Sequence, residues 1–270
     1  MDKLIITVAP NGPVATKEHT PHVAVTADEV IETGIQCWEA GASILHYHAR
    51  DKDQKACLDY DYFARVLEGL RKHTTLIVQM STGWGLDDRE GRIRMVDLKP
   101  DMMSLNVGSV NFPQGPYINR TDYAEYWAAK MKEYGVRPEI ECFDASHIEA
   151  GARLWKMGLI DDPPFFDFVL GVQNALSFTP QNMLTLMNLL PAGAKWSCIG
   201  VGRAQLPVTT LGIIMGGHCR VGIEDNIYYS HKVLATNVQL VERAVRLAKE
   251  LQRDIATPAE ARQLLKIKNS

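Results

Sequence analysis

Short apolar runs rich in β-branched residues alternate along the chain with longer stretches whose apolar positions recur three and four residues apart. The runs are LIITVAP (4–10), SILHYHAR (43–50), TLIVQMSTG (75–83), MMSLNVGSV (102–110), RPEIECFD (137–144), FFDFVLGV (165–172), AKWSCIGVG (194–202) and HCRVGIED (218–225). The helical-period stretches include residues 27–42, 60–73, 120–135 and 179–193. Strands alternating with helices pair in parallel through right-handed crossovers. Units of about thirty residues, eight in number, fit a closed (β/α)8 TIM barrel better than an open doubly wound sheet. Residues 87–98 predict the least regular helix, because Gly91 interrupts them, whereas 236–253 predict the clearest, with Thr236 or Asn237 as N-cap. A short extra C-terminal helix over 257–265, opening on Thr257-Pro258, is expected to pack outside the barrel. No linker or charge block divides the pattern, so residues 1–270 read as one catalytic barrel domain.

Within the second run, His46 and His48 stand two apart. The side-chain period of a strand is two, so both imidazoles project from one face while Leu45 and Tyr47 point the other way. Two histidines on one face make half a metal site; each could equally be a strand-end histidine bonded to backbone.

In a barrel the active site lies at the C-terminal ends of the strands. Those ends carry His46, His48 and Arg50; Gln79, Ser81, Thr82 and Gly83, followed by Trp84; Ser104 and Asn106; Glu139, Glu141 and Asp144; and His218, Arg220, Glu224, Asp225 and Asn226. Buried polar groups cost free energy unless paired or used, so this concentration favours a functional reading. On strand eight, the period of two predicts that Arg220, Gly222 and Glu224 share a face. Strand eight of a closed barrel neighbours strand one, which neighbours strand two, so Glu224 can approach His46 and His48 across the mouth. Two histidines and one carboxylate leave positions open for water or substrate, as in a catalytic divalent-metal centre, with zinc first and iron, manganese or cobalt as alternatives. Other roles stay open for these residues: Glu224 as a rim salt bridge to Arg220 or Arg50, Glu141 as a core ion-pair partner, Ser81 and Ser104 as small residues whose hydroxyls bond backbone. Trp84 either caps the mouth or walls a substrate tail.

Composition narrows the classes further. The chain is 46% hydrophobic and 23% charged with a formal net charge of -3 and no basic stripe, which removes the electrostatic case for nucleic acid or an anionic membrane. Cys37, Cys57, Cys142, Cys198 and Cys219 are an odd number without C-x-x-C spacing, which fits free thiols in a reducing cytoplasm. Neither a signal-peptide layout nor a bilayer-length apolar run is present, again the expectation for a cytoplasmic enzyme. IGVGRAQ offers Gly200 and Gly202 but Gln205 in place of a third glycine, which argues against a dinucleotide fingerprint, and no G-x-S-x-G elbow or Walker A sequence occurs.

TVAPNG, LHYHARD, QMSTG, SLNVGSVNF, PEIECFD, FVLGV, GVGR and GGHCRVGIEDN, in this order and spacing, resemble the β-keto acid cleavage enzymes, the family that includes the 3-keto-5-aminohexanoate cleavage enzyme. The resemblance covers nearly the whole chain. It implies a TIM barrel with Zn2+ held by His46, His48 and Glu224, and a base dyad of Asp225 beside Arg220. The reaction implied is condensation of a β-keto acid with the co-substrate acetyl-CoA to give acetoacetate and a new acyl-CoA. Ser81, Ser104, Asn106 and Glu141 fall on positions lining the substrate site, with serine at 104 where the aminohexanoate enzyme has threonine. Near the end of strand one that enzyme has a glutamate for its substrate's amino group, whereas this chain has Val14. An uncharged or apolar acyl tail packed on Val14 and Trp84 is therefore expected. The family also implies a homo-oligomer, a tetramer, for which the aromatic segment 111–127 could supply an interface or simply cover a helix pair. A metal-dependent aldolase or hydrolase acting without CoA is the alternative within enzymes, and a metal-dependent sensor the alternative outside them.

Overall fold

The computed structural model describes residues 1–83, 87–113 and 115–268. Each apolar run supplies one strand: β1 (Ile6–Val8), β2 (Ile44–Tyr47), β3 (Ile77–Met80), β4 (Met102–Asn106), β5 (Arg137–Cys142), β6 (Phe165–Leu170), β7 (Lys195–Gly200) and β8 (His218–Val221). All pair in parallel in chain order, and β8 returns to β1, so the expected TIM barrel closes. Between them run α1 (Ala27–Glu39), α2 (Tyr60–His73), α3 (Arg89–Ile93), α4 (Thr121–Tyr134), α5 (Ala145–Lys156), α6 (Pro180–Leu189), α7 (Gln205–Ile214) and α8 (Asn237–Glu250). Among the described residues no helix is long and apolar enough to cross a membrane.

Local chemistry sets the helix starts. Thr26 and Glu29 form a reciprocal capping box on α1, and Thr236 with Gln239 does the same on α8, so Thr236 rather than Asn237 is the N-cap. In residues 87–98, Gly91 does not break the helix. Asp88 caps α3 by accepting the Gly91 N–H at 2.9 Å, and a Cβ on Gly91 would lie 2.1 Å from that carboxylate. The irregularity comes instead at Arg94–Leu98, which tightens to a 3-10 turn.

The period of two sorts each strand into two environments. Leu45, Tyr47, Val78, Met80, Leu105 and Ile140 face outward and pack on helix residues such as Val30, Phe63, Trp127 and Ile148. Inward-facing residues change character along the axis. At the N-terminal end Ile5, Ile44, Ile77, Met102 and Phe165 form a separate apolar cluster with Ala261, Leu265 and Ile267. The last helix, α9 (Pro258–Leu265), capped by Thr257, therefore plugs the barrel floor and does not lie outside it as its sequence alone suggested. A backbone bridge anchors this plug, with Leu4 N–H donating to Asp254 O at 2.7 Å and Ala256 N–H to Leu4 O at 2.8 Å. Above the floor the axis turns polar: Gln79, Ser104, Glu139, Asp167, Ser197 and Arg220 are all buried there.

The loops after β3 and β4 are joined by one fully buried guanidinium. Arg92 donates to Thr82 O at 2.8 Å, Ile118 O at 2.9 Å, Tyr117 Oη at 2.9 Å and Asn119 Oδ1 at 2.6 Å, with its plane 4.3 Å over the Trp127 ring. Two short strands of the aromatic segment, Val110–Phe112 and Gly115–Tyr117, pair as a hairpin on the loop after β4. That hairpin borders the C-terminal mouth, while the later part of the segment enters α4, where Trp127 Nε1 donates to Arg89 O of α3 at 2.7 Å.

Candidate active site

His46 and His48 reach the barrel axis because their strand face is the inward one, and they are 1% and 6% exposed. Their Nε2 atoms face each other at 3.3 Å. Glu224 does not arrive by strand periodicity. β8 ends at Val221, and Gly222 turns the chain at φ +147°, where a Cβ would lie 2.1 Å from the Ala9 carbonyl oxygen. The expectation that Glu224 shares a strand face with Arg220 therefore fails in its reason while succeeding in its destination. The Glu224 N–H donates to Ala9 O at 3.1 Å, and its side chain lies over Gly12, where a Cβ would come 2.2 Å from Glu224 Cγ. Both glycines occupy the left-handed region that side chains avoid, so each supplies the turn and the clearance together.

The result is a three-residue cluster. Glu224 Oε1 lies 3.2 Å from His48 Nε2, and Glu224 Oε2 lies 3.7 Å from His46 Nε2. Two donors each about 2.0–2.1 Å from a tetrahedral ion sit roughly 3.3 Å apart, so these edges suit a small divalent cation. The electrostatics agree. Burial, reinforced by the Arg220 guanidinium, pushes the His46 imidazole down to about 3, which leaves it neutral with a lone pair to give. Burial alone would raise the Glu224 carboxyl, but Arg220 and the two imidazoles outweigh it and hold it well below the usual carboxylate range. Its Oε2 has no hydrogen-bond partner among the described residues. An ionised oxygen buried without a donor is costly, and a cation between the three groups would relieve it.

Beside the cluster, Arg220 grips Asp225 with two parallel bonds, Nε to Oδ2 and Nη2 to Oδ1, both 3.0 Å. The same guanidinium lies 2.6 Å from Glu224 Oε1 and 3.6 Å from Glu141 Oε1. One cation thus faces three carboxylates, and the salt-bridge roles weighed for Glu224 and Glu141 coexist with their place at the mouth. Burial, opposed by Arg220, raises the Asp225 carboxyl to about 6 and the Glu141 carboxyl to about 7.

The remaining expected residues divide. Ser81 Oγ accepts the Gly83 N–H at 3.0 Å, and Ser104 Oγ accepts the Thr82 N–H at 3.0 Å, so both hydroxyls bond backbone within the loop after β3. Asn106 is fully buried next to Glu141 in register, and neither amide atom finds a partner among the described residues. Val14 is 60% exposed on the loop after β1, and Trp84 lies outside the described residues. Three site residues carried no role in the sequence. Asn11 clamps the His48 backbone from both sides, Nδ2 to His48 O at 2.9 Å and His48 N–H to Oδ1 at 3.1 Å. Gln79 and Glu139 form a buried chain behind His46. An Asn-Gly pair closing an apolar strand was the visible signal for the first; lone polar residues inside a strand were the signal for the others.

Gly222→Ala is expected to shift Glu224 out of the cluster, because the new methyl would meet backbone that has no room to give. Strain of about 1–3 kcal/mol should lower the thermal midpoint, and affinity for a divalent cation measured by chelator competition should fall at least tenfold. Wild-type affinity in a folded variant would show that the turn does not place Glu224.

A closed parallel barrel with a two-histidine, one-carboxylate donor set and an arginine-gripped aspartate at its C-terminal mouth is the anatomy of a TIM-barrel enzyme with a candidate divalent-metal centre. The β-keto acid cleavage enzyme family matches residues 3–267, and the chain belongs to that family. It is 43% identical to the 3-keto-5-aminohexanoate cleavage enzyme of Fusobacterium nucleatum subsp. nucleatum, over 99% of each chain. It is 40% identical to the 3-oxoadipate:acetyl-CoA acetyltransferase of Cupriavidus necator, over 97% of this chain and 94% of that protein. The solved binary complex of ObcA with oxaloacetate shares the fold, with a TM-score of 0.80 and 18% identity over 92% of this chain and 68% of that one.

Proposed function

We propose that this enzyme condenses a β-keto acid with acetyl-CoA, at a Zn2+ held by His46, His48 and Glu224, and releases acetoacetate with the CoA ester of the remaining acyl chain. The observation that carries this reading is the Arg220–Asp225 pair, 3.0 Å in both bonds, set against the donor cluster through Glu224. Zn2+ bound there would supply Lewis acidity, drawing charge from the carboxylate and ketone oxygens of the β-keto acid and acidifying its C2 protons.

The chain's own groups account for the rest. Asp225, a stronger base than an ordinary carboxylate because burial raises it to about 6, takes one C2 proton. Arg220 neutralises the charge that develops and keeps the base oriented. The C2 carbanion attacks the thioester carbonyl of acetyl-CoA, CoA is transferred to the former ketone carbon, and retro-Claisen cleavage of the C2–C3 bond frees acetoacetate. The proton taken at C2 is returned there in the last step, so R–CO–CH2–COO⁻ and acetyl-CoA become R–CO–SCoA and acetoacetate with every atom balanced. Ser81, Ser104, Asn106 and Glu141 line the substrate; Asn106, with both amide atoms unpartnered among the described residues, is the residue best supplied with free hydrogen-bonding capacity.

Relatives at 43% and 40% identity carry names with tails of opposite charge, an amine and a second carboxylate, so overall identity does not choose the tail. Val14 does, because it offers neither charge, and an uncharged or apolar acyl chain is the partner it supports. The test is acetoacetate release from Zn2+-loaded enzyme given acetyl-CoA and a panel of β-keto acids with cationic, anionic and neutral tails, beside the same panel without acetyl-CoA. CoA-dependent acetoacetate, highest with a neutral tail, is the expected outcome. Preference for a charged tail would overturn the role of Val14, and turnover without CoA would replace the reaction by an aldol or hydrolytic cleavage.

A further inference from the structure

Gln79 and Glu139 are fully buried polar side chains on the barrel axis that the proposed chemistry does not use. Gln79 stands beside His46 in the register of β2 and β3. Its Oε1 lies 2.7 Å from His46 Nδ1, and its Nε2 lies 2.8 Å from Glu139 Oε2. An amide oxygen only accepts and an amide nitrogen only donates. His46 Nδ1 therefore carries the ring proton, and Nε2 keeps its lone pair toward His48 and Glu224. With the amide turned over, its NH2 group would face Nδ1, the ring proton would move to Nε2, and a cation would be blocked. Glu139 opposes that reversal in its ionised form, which has no proton to offer the Gln79 carbonyl and already accepts from the Gln79 amide nitrogen. The other two donors are placed through their own backbone: His48 by the Asn11 side chain that clamps its N–H and C=O, Glu224 by the turn at Gly222. Among the described residues, His46 is the donor whose ring nitrogen away from the cluster meets a side-chain relay.

We infer that Gln79 and Glu139 are positioning residues that select the Nδ1–H tautomer of His46 and thereby set the affinity of the cluster for a divalent cation. This inference rests on the metal-centre reading above. The relay is costly as packing. Glu139 Oε1 has no hydrogen-bond partner among the described residues, and burial raises its carboxyl. Apolar side chains of similar volume would fill this layer of the barrel without that penalty. A polar chain in which one end meets His46 and the other leaves an acid half-satisfied is explained by what it does to the imidazole.

The test measures Zn2+ dissociation constants by chelator competition for wild type, Gln79→Met, Gln79→Glu and Glu139→Gln, with circular dichroism and thermal unfolding of each metal-free protein. Gln79→Met removes the acceptor at similar volume and should weaken Zn2+ binding about 10–100-fold, the usual effect of losing a hydrogen bond to a ligating histidine. Gln79→Glu restores an acceptor oxygen toward Nδ1, its other oxygen meeting Glu139 through one shared proton because two buried carboxyls in contact do not both ionise, and should recover most of that loss. Glu139→Gln, which lets the relay run in either direction, should give a smaller loss, and it keeps the test open if Gln79→Met does not fold. Absorption spectra of the Co2+-loaded proteins should show weaker tetrahedral bands in Gln79→Met than in Gln79→Glu. Equal Zn2+ affinity across the folded variants, or no recovery in Gln79→Glu, would overturn the relay while leaving the metal centre intact. A wild-type protein that does not bind Zn2+ would overturn the metal centre and the relay with it.

Discussion

Asp225→Asn is expected to retain wild-type Zn2+ content and to lose turnover by about 10²–10⁴-fold, the usual worth of a positioned general base. The asparagine is nearly isosteric, so the Arg220 contact at 3.0 Å can persist through the amide oxygen, and neither His46, His48 nor Glu224 is altered. The basicity is removed, together with the charge and one of the two Arg220 bonds, since the amide nitrogen cannot accept. An amide has no affinity for the C2 proton at neutral pH, whereas burial, opposed by Arg220, raises the aspartate only to about 6 and leaves it ionised there. The decisive readout is exchange of the C2 hydrogens of the β-keto acid with deuterated solvent in the absence of acetyl-CoA, followed by NMR. Exchange should vanish with turnover. Full exchange and slow turnover would move the role of Asp225 to a later step, and unchanged turnover would remove it from the chemistry.

His46→Ala is expected to abolish activity by a different route, through loss of the metal. Removing one of three protein donors should weaken Zn2+ binding well beyond the roughly 10–100-fold that follows loss of a supporting hydrogen bond alone. Metal content by elemental analysis and turnover should fall in parallel. The variant also strands buried groups: Gln79 Oε1 loses its donor at 2.7 Å, which should cost about 1–3 kcal/mol and lower the thermal midpoint of the metal-free protein. Full metal occupancy in His46→Ala would show that His46 is not a ligand and would reassign the cluster edges to hydrogen bonding alone. Asp225→Asn and His46→Ala together separate base chemistry from metal retention, since only the second should change metal content.

The barrel was legible because it is a periodic object. Eight apolar runs spaced by helical stretches impose strand, crossover and parallel strand, and closure follows from the count. His46 and His48 were legible for the same reason, because a period of two fixes their common face. Glu224, Gly12 and Gly222 were not legible as a geometric unit. The residues that place Glu224 lie more than 200 positions apart in the chain, at the ends of β1 and β8, and meet only when the barrel closes. Residues 257–265 read as a helix from a Thr-Pro cap and an amphipathic stretch, yet nothing local says which apolar surface receives it; the ring of Ile5, Ile44, Ile77, Met102 and Phe165 exists only in the closed sheet.

The amino-acid sequence by itself thus determined the kind of fold, the family and which residues are proposed as donors and base, because these depend on local periodicity and on residue type. Tertiary structure alone decided that Arg220 answers three carboxylates at once, that Glu224 enters by a glycine turn and not along a strand, and that Gln79 and Glu139 stand behind His46. Arg220 meets Glu224 and Asp225 within its own strand end, but its contact with Glu141, the Gln79–Glu139 bond and the packing of Glu224 on Gly12 join segments far apart in sequence. The strength of each contact depends on burial and angle, quantities that no linear order of residues contains.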